Sequence, residues 1–74
     1  MIKENAMRVR YYSINRPISV GTFPKTHRVL DIVNFDSKKF CPSVQQEAWG
    51  YIDYMRAIDE QDAYDYELVR EYGQ

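Results

Sequence analysis

The sequence predicts a small α+β domain, in which a mainly antiparallel three-stranded sheet is closed by a short C-terminal helix. Three segments combine β-branched or aromatic residues with strand-like alternation, and an acid-rich segment near the end carries the signals of a helix start. The chain has 74 residues, of which 45% are hydrophobic and 15% aromatic. This length and composition suit one folded domain with a single core.

The first predicted strand covers residues 7–14. Its side chains alternate, so that Tyr11 and Tyr12 fall on opposite faces and one face can be buried. We assign residues 8–72 to one domain and residues 1–7 to an N-terminal extension ahead of it.

A loop is predicted over residues 15–25, because two prolines and a glycine interrupt any regular ladder there. The loop nevertheless contains Ile18, Val20 and Phe23, which are unusual in a solvated linker. We therefore expect the loop either to pack back over the sheet or to form a recognition surface.

The second strand is predicted over residues 27–35, which are rich in β-branched and apolar residues. Turn-forming residues at positions 34–38 are expected to end it. Residues 40–47 fit either an irregular crossing or a single helical turn capped by Ser43, since Gln46 stands at the capping-box spacing.

The third strand is predicted over residues 48–57, where aromatic residues and isoleucine dominate. A helix is predicted over residues 59–70, with Asp59 as the N-cap and Gly73 as the stop signal. Large rings fall on both faces of the third strand. We expect the helix to cover one face of the sheet, and the proline-containing loop or a second subunit to cover the other.

Charge is divided unevenly along the chain. Residues 1–40 hold eight Lys or Arg against three acids, and residues 41–74 hold two against eight. A basic first half and an acidic second half fit two interpretations: the halves attract each other within one fold, or one of them forms an interaction surface. The single cysteine, Cys41, favours a cytoplasmic location over a disulfide-stapled secreted domain. No apolar run is long enough for a membrane span, so we expect no membrane association.

The sequence offers little for catalysis. His27 and Cys41 are the sole residues of their kinds, and no paired-ligand spacing surrounds them. The three glycines are too far apart to form a phosphate loop. We therefore predict a non-enzymatic protein without a metal site or cofactor.

Two binding functions remain. Arginines and lysines accompany aromatic residues through the first half of the chain, a combination that grips phosphates and stacks bases in nucleic-acid-binding proteins. Tyrosine, tryptophan and arginine are also enriched at the anchors of protein interfaces. A protein partner is our first interpretation and nucleic-acid binding is the alternative, while monomer and homodimer both stay open.

Five blocks carry a resemblance to a known family. They read RYYSINRP at residues 10–17, GTFP at 21–24, VNF at 33–35, AWGYIDY at 48–54 and DYEL at 65–68. Together they resemble an uncharacterised family of small proteins from Firmicutes and their mobile elements, similar to domains associated with large polyvalent proteins of phages and conjugative elements. The resemblance implies a bacterial mobile-element setting and supplies no catalytic residues.

The hypothesis for the contact surface joins the proline-containing loop to the third strand. A simple core role is the favoured interpretation for Trp49 and Phe23, because large rings in a small domain are usually buried. The proposed partner-binding residues are Arg16, Pro17, Phe23, Pro24, Trp49 and Tyr51.

Overall fold

The computed structural model describes residues 8–71 as a four-stranded sheet with one short helix. In chain order the elements are β1 (Val9–Ser13), β2 (Val29–Cys41), β3 (Gln46–Tyr54), α1 (Glu60–Asp65) and β4 (Leu68–Arg70). Across the sheet the order is β2-β3-β1-β4, and every neighbouring pair is antiparallel. The predicted extension over residues 1–7 and the predicted stop at Gly73 lie outside the described residues.

The α+β class is confirmed, but the predicted count of three strands is wrong. The helix begins as predicted, with the Asp59 carboxylate accepting a hydrogen bond from the backbone of Gln61. It ends at Asp65, because Glu67 takes a left-handed conformation with φ of 59° and redirects the chain. The residues that follow, read from sequence as the last helical turn, form β4 and pair with β1.

β2 also differs from its prediction, since it continues to Cys41. The turn-forming residues lie at an irregularity: Asn34 pairs with Gly50 and Lys39 pairs with Ala48, so four residues of β2 oppose Trp49 alone. These residues therefore bulge the strand rather than reverse it. The reversal follows Cys41 as a single turn.

The turn between β2 and β3 matches the single-turn alternative for this segment. The backbone N–H of Gln45 donates to the carbonyl of Cys41 at 2.8 Å, and Gln45 takes a φ of 58°. The Ser43 hydroxyl, expected to cap this turn, instead donates to the hydroxyl of Tyr12 at 3.2 Å. The turn is thus tied to β1 across the sheet.

The two faces of the sheet carry separate apolar clusters. We call one the helix face, defined by Tyr11, Ile52, Tyr54 and Leu68, and the other the arginine face, defined by Arg10, Tyr12, Tyr51 and Asp53. Loop residues Ile18 and Phe23 pack on the helix face together with Ile58 and Ala63 from the helix region. The loop therefore packs over the sheet, but the expectation that loop and helix would cover opposite faces is wrong.

The loop is held to the helix face by hydrogen bonds. The Asn34 amide accepts from the backbone N–H of Ile18 at 2.8 Å and donates to its carbonyl at 2.9 Å. The Tyr54 hydroxyl donates to the carbonyl of Pro24 at 2.7 Å. Buried backbone groups of a loop need such partners, and side chains of the sheet supply them here. The loop is thus a fixed layer of the core.

Candidate functional site

The loop and the helix both pack on the helix face and do not cover the arginine face. The charged residues of the arginine face lie in register across three strands. Arg10 of β1 pairs with Asp53 of β3, and Asp53 pairs with Asp31 of β2. Antiparallel partners share a face, so these side chains form one row. The like charges of Asp31 and Asp53 repel each other, and Arg10 within the row and Arg8 next to it offset that repulsion.

Asp53 is the centre of this row and has no exposed surface. Its two carboxylate oxygens accept hydrogen bonds from Nε and Nη2 of Arg10 at 2.8 and 3.0 Å, a two-point contact. Nη1 of Arg8 lies 3.5 Å from Oδ2 of the same carboxylate. Burying an isolated carboxylate is costly, and the two arginines supply the compensating charge. The hydrogen bond with Asp53 raises the pKa of the Arg10 guanidinium above its ordinary value.

Aromatic rings continue the same face. The Arg10 guanidinium carbon lies 3.8 Å from the centroid of the Tyr51 ring, so the arginine is stacked as well as ion-paired. The Tyr51 ring lies 5.8 Å from that of Tyr12 and 6.2 Å from that of Phe35. The Lys39 ammonium stands 5.3 Å from the Phe35 ring. The face therefore presents half-buried aromatic surface with cations positioned above it.

The structure separates the six residues of the predicted contact surface. Phe23 and Pro24 are buried, and Phe23 belongs to the core of the helix face. Tyr51 lies half-buried on the arginine face, and Trp49 is half-buried opposite the bulge of β2. Arg16 and Pro17 are exposed in the loop after β1. These residues therefore form no single surface.

Arg16 makes a separate ion pair at the end of β1. Its Nη2 lies 2.6 Å from Oε1 of Glu67, and both side chains are substantially exposed. Hydrogen bonds from Asn15 and Arg16 lower the pKa of the Glu67 carboxyl below its ordinary value. Arg16 is thus already neutralised within the domain.

Sequence reasoning missed the Arg10–Asp53 pair. The available signal was a lone acid, Asp53, in an aromatic strand, together with Arg8 and Arg10 on one face of the first strand. Finding it required the register between the two strands, because spacing along the chain does not show which residues lie opposite each other.

The sole cysteine and histidine are not brought together. His27 precedes β2, whereas Cys41 is the last residue of that strand and is buried. Since a strand rises about 3.3 Å per residue, the two side chains are far outside hydrogen-bond reach. Burial raises the pKa of the Cys41 thiol. Within residues 8–71, no group of three His, Cys, Asp or Glu side chains could hold a metal ion.

The family model described as "Defence against restriction A C-terminal" matches residues 6–73. No curated protein and no solved structure matches the chain. In the part of the chain that the structure describes, no helix is long and apolar enough to cross a membrane. Because the family model covers nearly the whole sequence, the chain belongs to the Defence against restriction A C-terminal family.

Proposed function

We propose that this domain is a non-enzymatic binding module that engages a protein partner, and that it serves defence against restriction in a bacterial mobile element. The family description supports the biological setting. We also propose that the protein acts in the cytoplasm and that its mobile element is one of Firmicutes. The arginine face is the surface that we assign to the partner.

The observation that carries this proposal is the balance of charge on the arginine face. Three basic side chains, Arg8, Arg10 and Lys39, share this face with three acidic ones, Asp31, Asp53 and Glu71. Arg8 and Arg10 both contact the Asp53 carboxylate. A polyanion gains affinity by neutralising its phosphates with unpaired cations. A balanced face that combines stacked arginine with tyrosine and phenylalanine is instead typical of protein interfaces.

The partner contact is assigned to the half-buried apolar and aromatic residues of this face. Val33 and Tyr51 pair across β2 and β3, and Phe35 packs against Tyr51. Trp49 borders this group opposite the bulge. Of the residues proposed from sequence, Tyr51 and Trp49 stay in the contact surface, whereas the buried Phe23 and Pro24 are assigned to the core.

The experiment is affinity capture with the purified domain as bait in extracts of the source cell, after nuclease treatment. The variant carries Phe35→Ser and Lys39→Glu, which alter the arginine face without touching the Arg10–Asp53 pair. The control is Val20→Ser, since Val20 is 85% exposed in the loop. We expect one protein to be captured by the wild type and the control and lost with the variant. Equal capture by all three would contradict the proposal.

The proposed role in defence against restriction is tested separately. The measurement is the survival of unmodified DNA in a restricting host that expresses the protein. We expect survival to fall with the Phe35→Ser, Lys39→Glu variant and to be unchanged with Val20→Ser. Survival that does not depend on the domain at all would contradict the role in defence against restriction.

Nucleic-acid binding is the competing outcome. It predicts affinity for DNA or RNA that falls steeply with salt and is lost when the exposed Arg8 and Arg28 are both changed to alanine. A flat titration at low salt with duplex DNA, single-stranded DNA and RNA removes this alternative. A steep one would replace the protein-partner proposal.

A further inference from the structure

The outer edge of β4 is a second surface, at the side of the sheet opposite β2. Tyr64 of α1 is 79% exposed and lines two open grooves, with volumes of about 410 and 380 Å³. Both grooves are lined by Ala63, Leu68 and Val69, so both border β4. An exposed aromatic ring that lines two grooves is an unusual arrangement for a solvated helix face.

Among residues 8–71, no strand pairs with the outer edge of β4. The N–H of Ile14 donates to the carbonyl of Glu67, and the N–H of Glu71 donates to the carbonyl of Arg10. Hydrogen-bonded pairs alternate along an antiparallel ladder, so Val69 is the next residue that bonds to β1. The backbone groups of Leu68 and Arg70 therefore point away from β1, and β4 is an edge of the sheet within residues 8–71.

The charge around these grooves is predominantly acidic. Glu60, Asp65 and Glu67 line them, against the single base Arg70. Glu67 is paired with Arg16, which leaves Glu60 and Asp65 as the free acids of the lining. An extended segment that carries lysine or arginine would complement this charge.

We propose that the outer edge of β4 accepts an extended, lysine- or arginine-bearing segment of a partner protein. The segment adds to the sheet as a strand, hydrogen-bonds to the backbone of Leu68 and Arg70, and packs an apolar side chain against Tyr64. Main-chain bonds supply affinity in this mode of recognition, and alternate side chains supply specificity. This contact lies at β4, whereas the partner contact proposed for the arginine face lies on β2 and β3, so either can fail alone.

The probe is a blocked, fluorescent peptide of alternating valine and lysine, titrated into the ¹⁵N-labelled domain. We expect the backbone amides of Leu68 and Arg70 and the Tyr64 ring to shift, and the Arg70 amide to become protected from hydrogen exchange. Two control peptides separate the contributions. Methylating the amides that face β4 blocks strand addition while keeping charge, and replacing lysine by glutamate reverses the charge. Each should bind about tenfold more weakly or worse.

Two variants test the same site from the protein side. Arg70→Pro removes an outward-facing donor, and proline is tolerated on an edge strand. Tyr64→Ala removes the ring from an exposed position and should leave the fold intact. Each should weaken the peptide about tenfold, whereas Phe35→Ser on the arginine face should leave its affinity unchanged. If Arg70→Pro unfolds, Tyr64→Ala alone decides.

The proposal is overturned by any of three results: equal affinity for the methylated peptide, shifts confined to the arginine face, or no binding at millimolar peptide. A dimer that pairs two β4 edges in the absence of peptide would also overturn it, since the occupant would then be a second copy of the chain.

Discussion

The side-chain amide of Asn34 forms two hydrogen bonds with the backbone of Ile18, one to its N–H and one to its carbonyl. The Asn34 side chain thus satisfies both backbone groups of Ile18, as the backbone of a neighbouring strand would. Ile18 is buried on the helix face, so the pair connects the strand β2 to the apolar layer that covers the sheet.

Removing this amide should loosen the loop. We expect Asn34→Ala to lower the free energy of unfolding by about 1–3 kcal/mol, because the two backbone groups of Ile18 lose their partners. Ser37→Ala, an exposed change on the same strand, is the control and should have an effect within about 0.5 kcal/mol. Urea denaturation measures both. Equal midpoints for the two variants would show that the Asn34 bonds contribute nothing.

The absence of a side chain at Gly50 allows β3 to lie close to β2 at Val33 and Asn34. A methyl group at Gly50 would lie 2.2 Å from the carbonyl oxygen of Val33 and 2.9 Å from Cα of Asn34. Backbone atoms cannot yield as a flexible side chain does, so Gly50→Ala should cost about 3 kcal/mol or more. Gly21, with φ of 97° and open space around it, should cost about 1 kcal/mol when changed to alanine. Thermal unfolding compares the stability lost in the two variants. Similar losses for Gly50→Ala and Gly21→Ala would contradict the close approach of β2 to Gly50.

The buried ion pair should behave as a coupled unit. We expect Asp53→Leu to cost about 3 kcal/mol, because Arg10 is left without its partner, and the double variant with Arg10→Met to recover much of that loss. Arg8→Met should cost less than about 1 kcal/mol, since Arg8 lies farther from the carboxylate and is 44% exposed. A double-mutant cycle gives the coupling. Simple additivity of the two single losses would argue against the pair.

Stability should fall at alkaline pH. Burial raises the pKa of Tyr54, which is fully buried and donates to Pro24. Below a pH of about 10, the ordinary tyrosine pKa, the Tyr54 hydroxyl is protonated in both the folded and the unfolded chain. Its contribution to the free energy of unfolding is then fully present. Above that pH the unfolded chain loses the proton first, so stability falls by up to about 1.4 kcal/mol per pH unit until the folded pKa is reached.

Tyr54→Phe tests this assignment. The variant should start about 1 kcal/mol less stable, because the Pro24 carbonyl loses its donor, but its urea midpoint should fall less steeply between pH 9 and 11. Burial also raises the pKa of Cys41, so Cys41→Ala should be present in both proteins to isolate the tyrosine. Parallel pH profiles for the two proteins would rule out Tyr54 as the titrating group.

The sequence was informative wherever a local preference decided the structure. The alternation of β1 and the Asp59 cap of α1 could be predicted, whereas packing of Ile18 and Phe23 onto the sheet was one of two alternatives for the loop. β4 could not be predicted, since a stripe at helical spacing and a short alternating strand look alike over three residues. Its pairing with β1 decided the outcome, which is a tertiary effect.

The candidate site depended on register, which local patterns do not supply. Arg10 and Asp53 are 43 residues apart, and nothing near either residue identifies the other. The bulge of β2 opposite Trp49 further displaces the pairing that simple counting would give. The arrangement of Arg10, Tyr51 and Asp53 on one face of the sheet was therefore not predictable from the sequence.

The central claim, that the arginine face contacts a protein, is tested most directly by photo-crosslinking from within that face. A benzophenone amino acid replaces Val33, which is half-buried and pairs with Tyr51, and in a control it replaces the exposed Val20. Irradiation in the source cell should give one discrete adduct from position 33 that is sensitive to protease and resistant to nuclease, and no such adduct from position 20. A nuclease-sensitive adduct, or the same adducts from both positions, would contradict the claim.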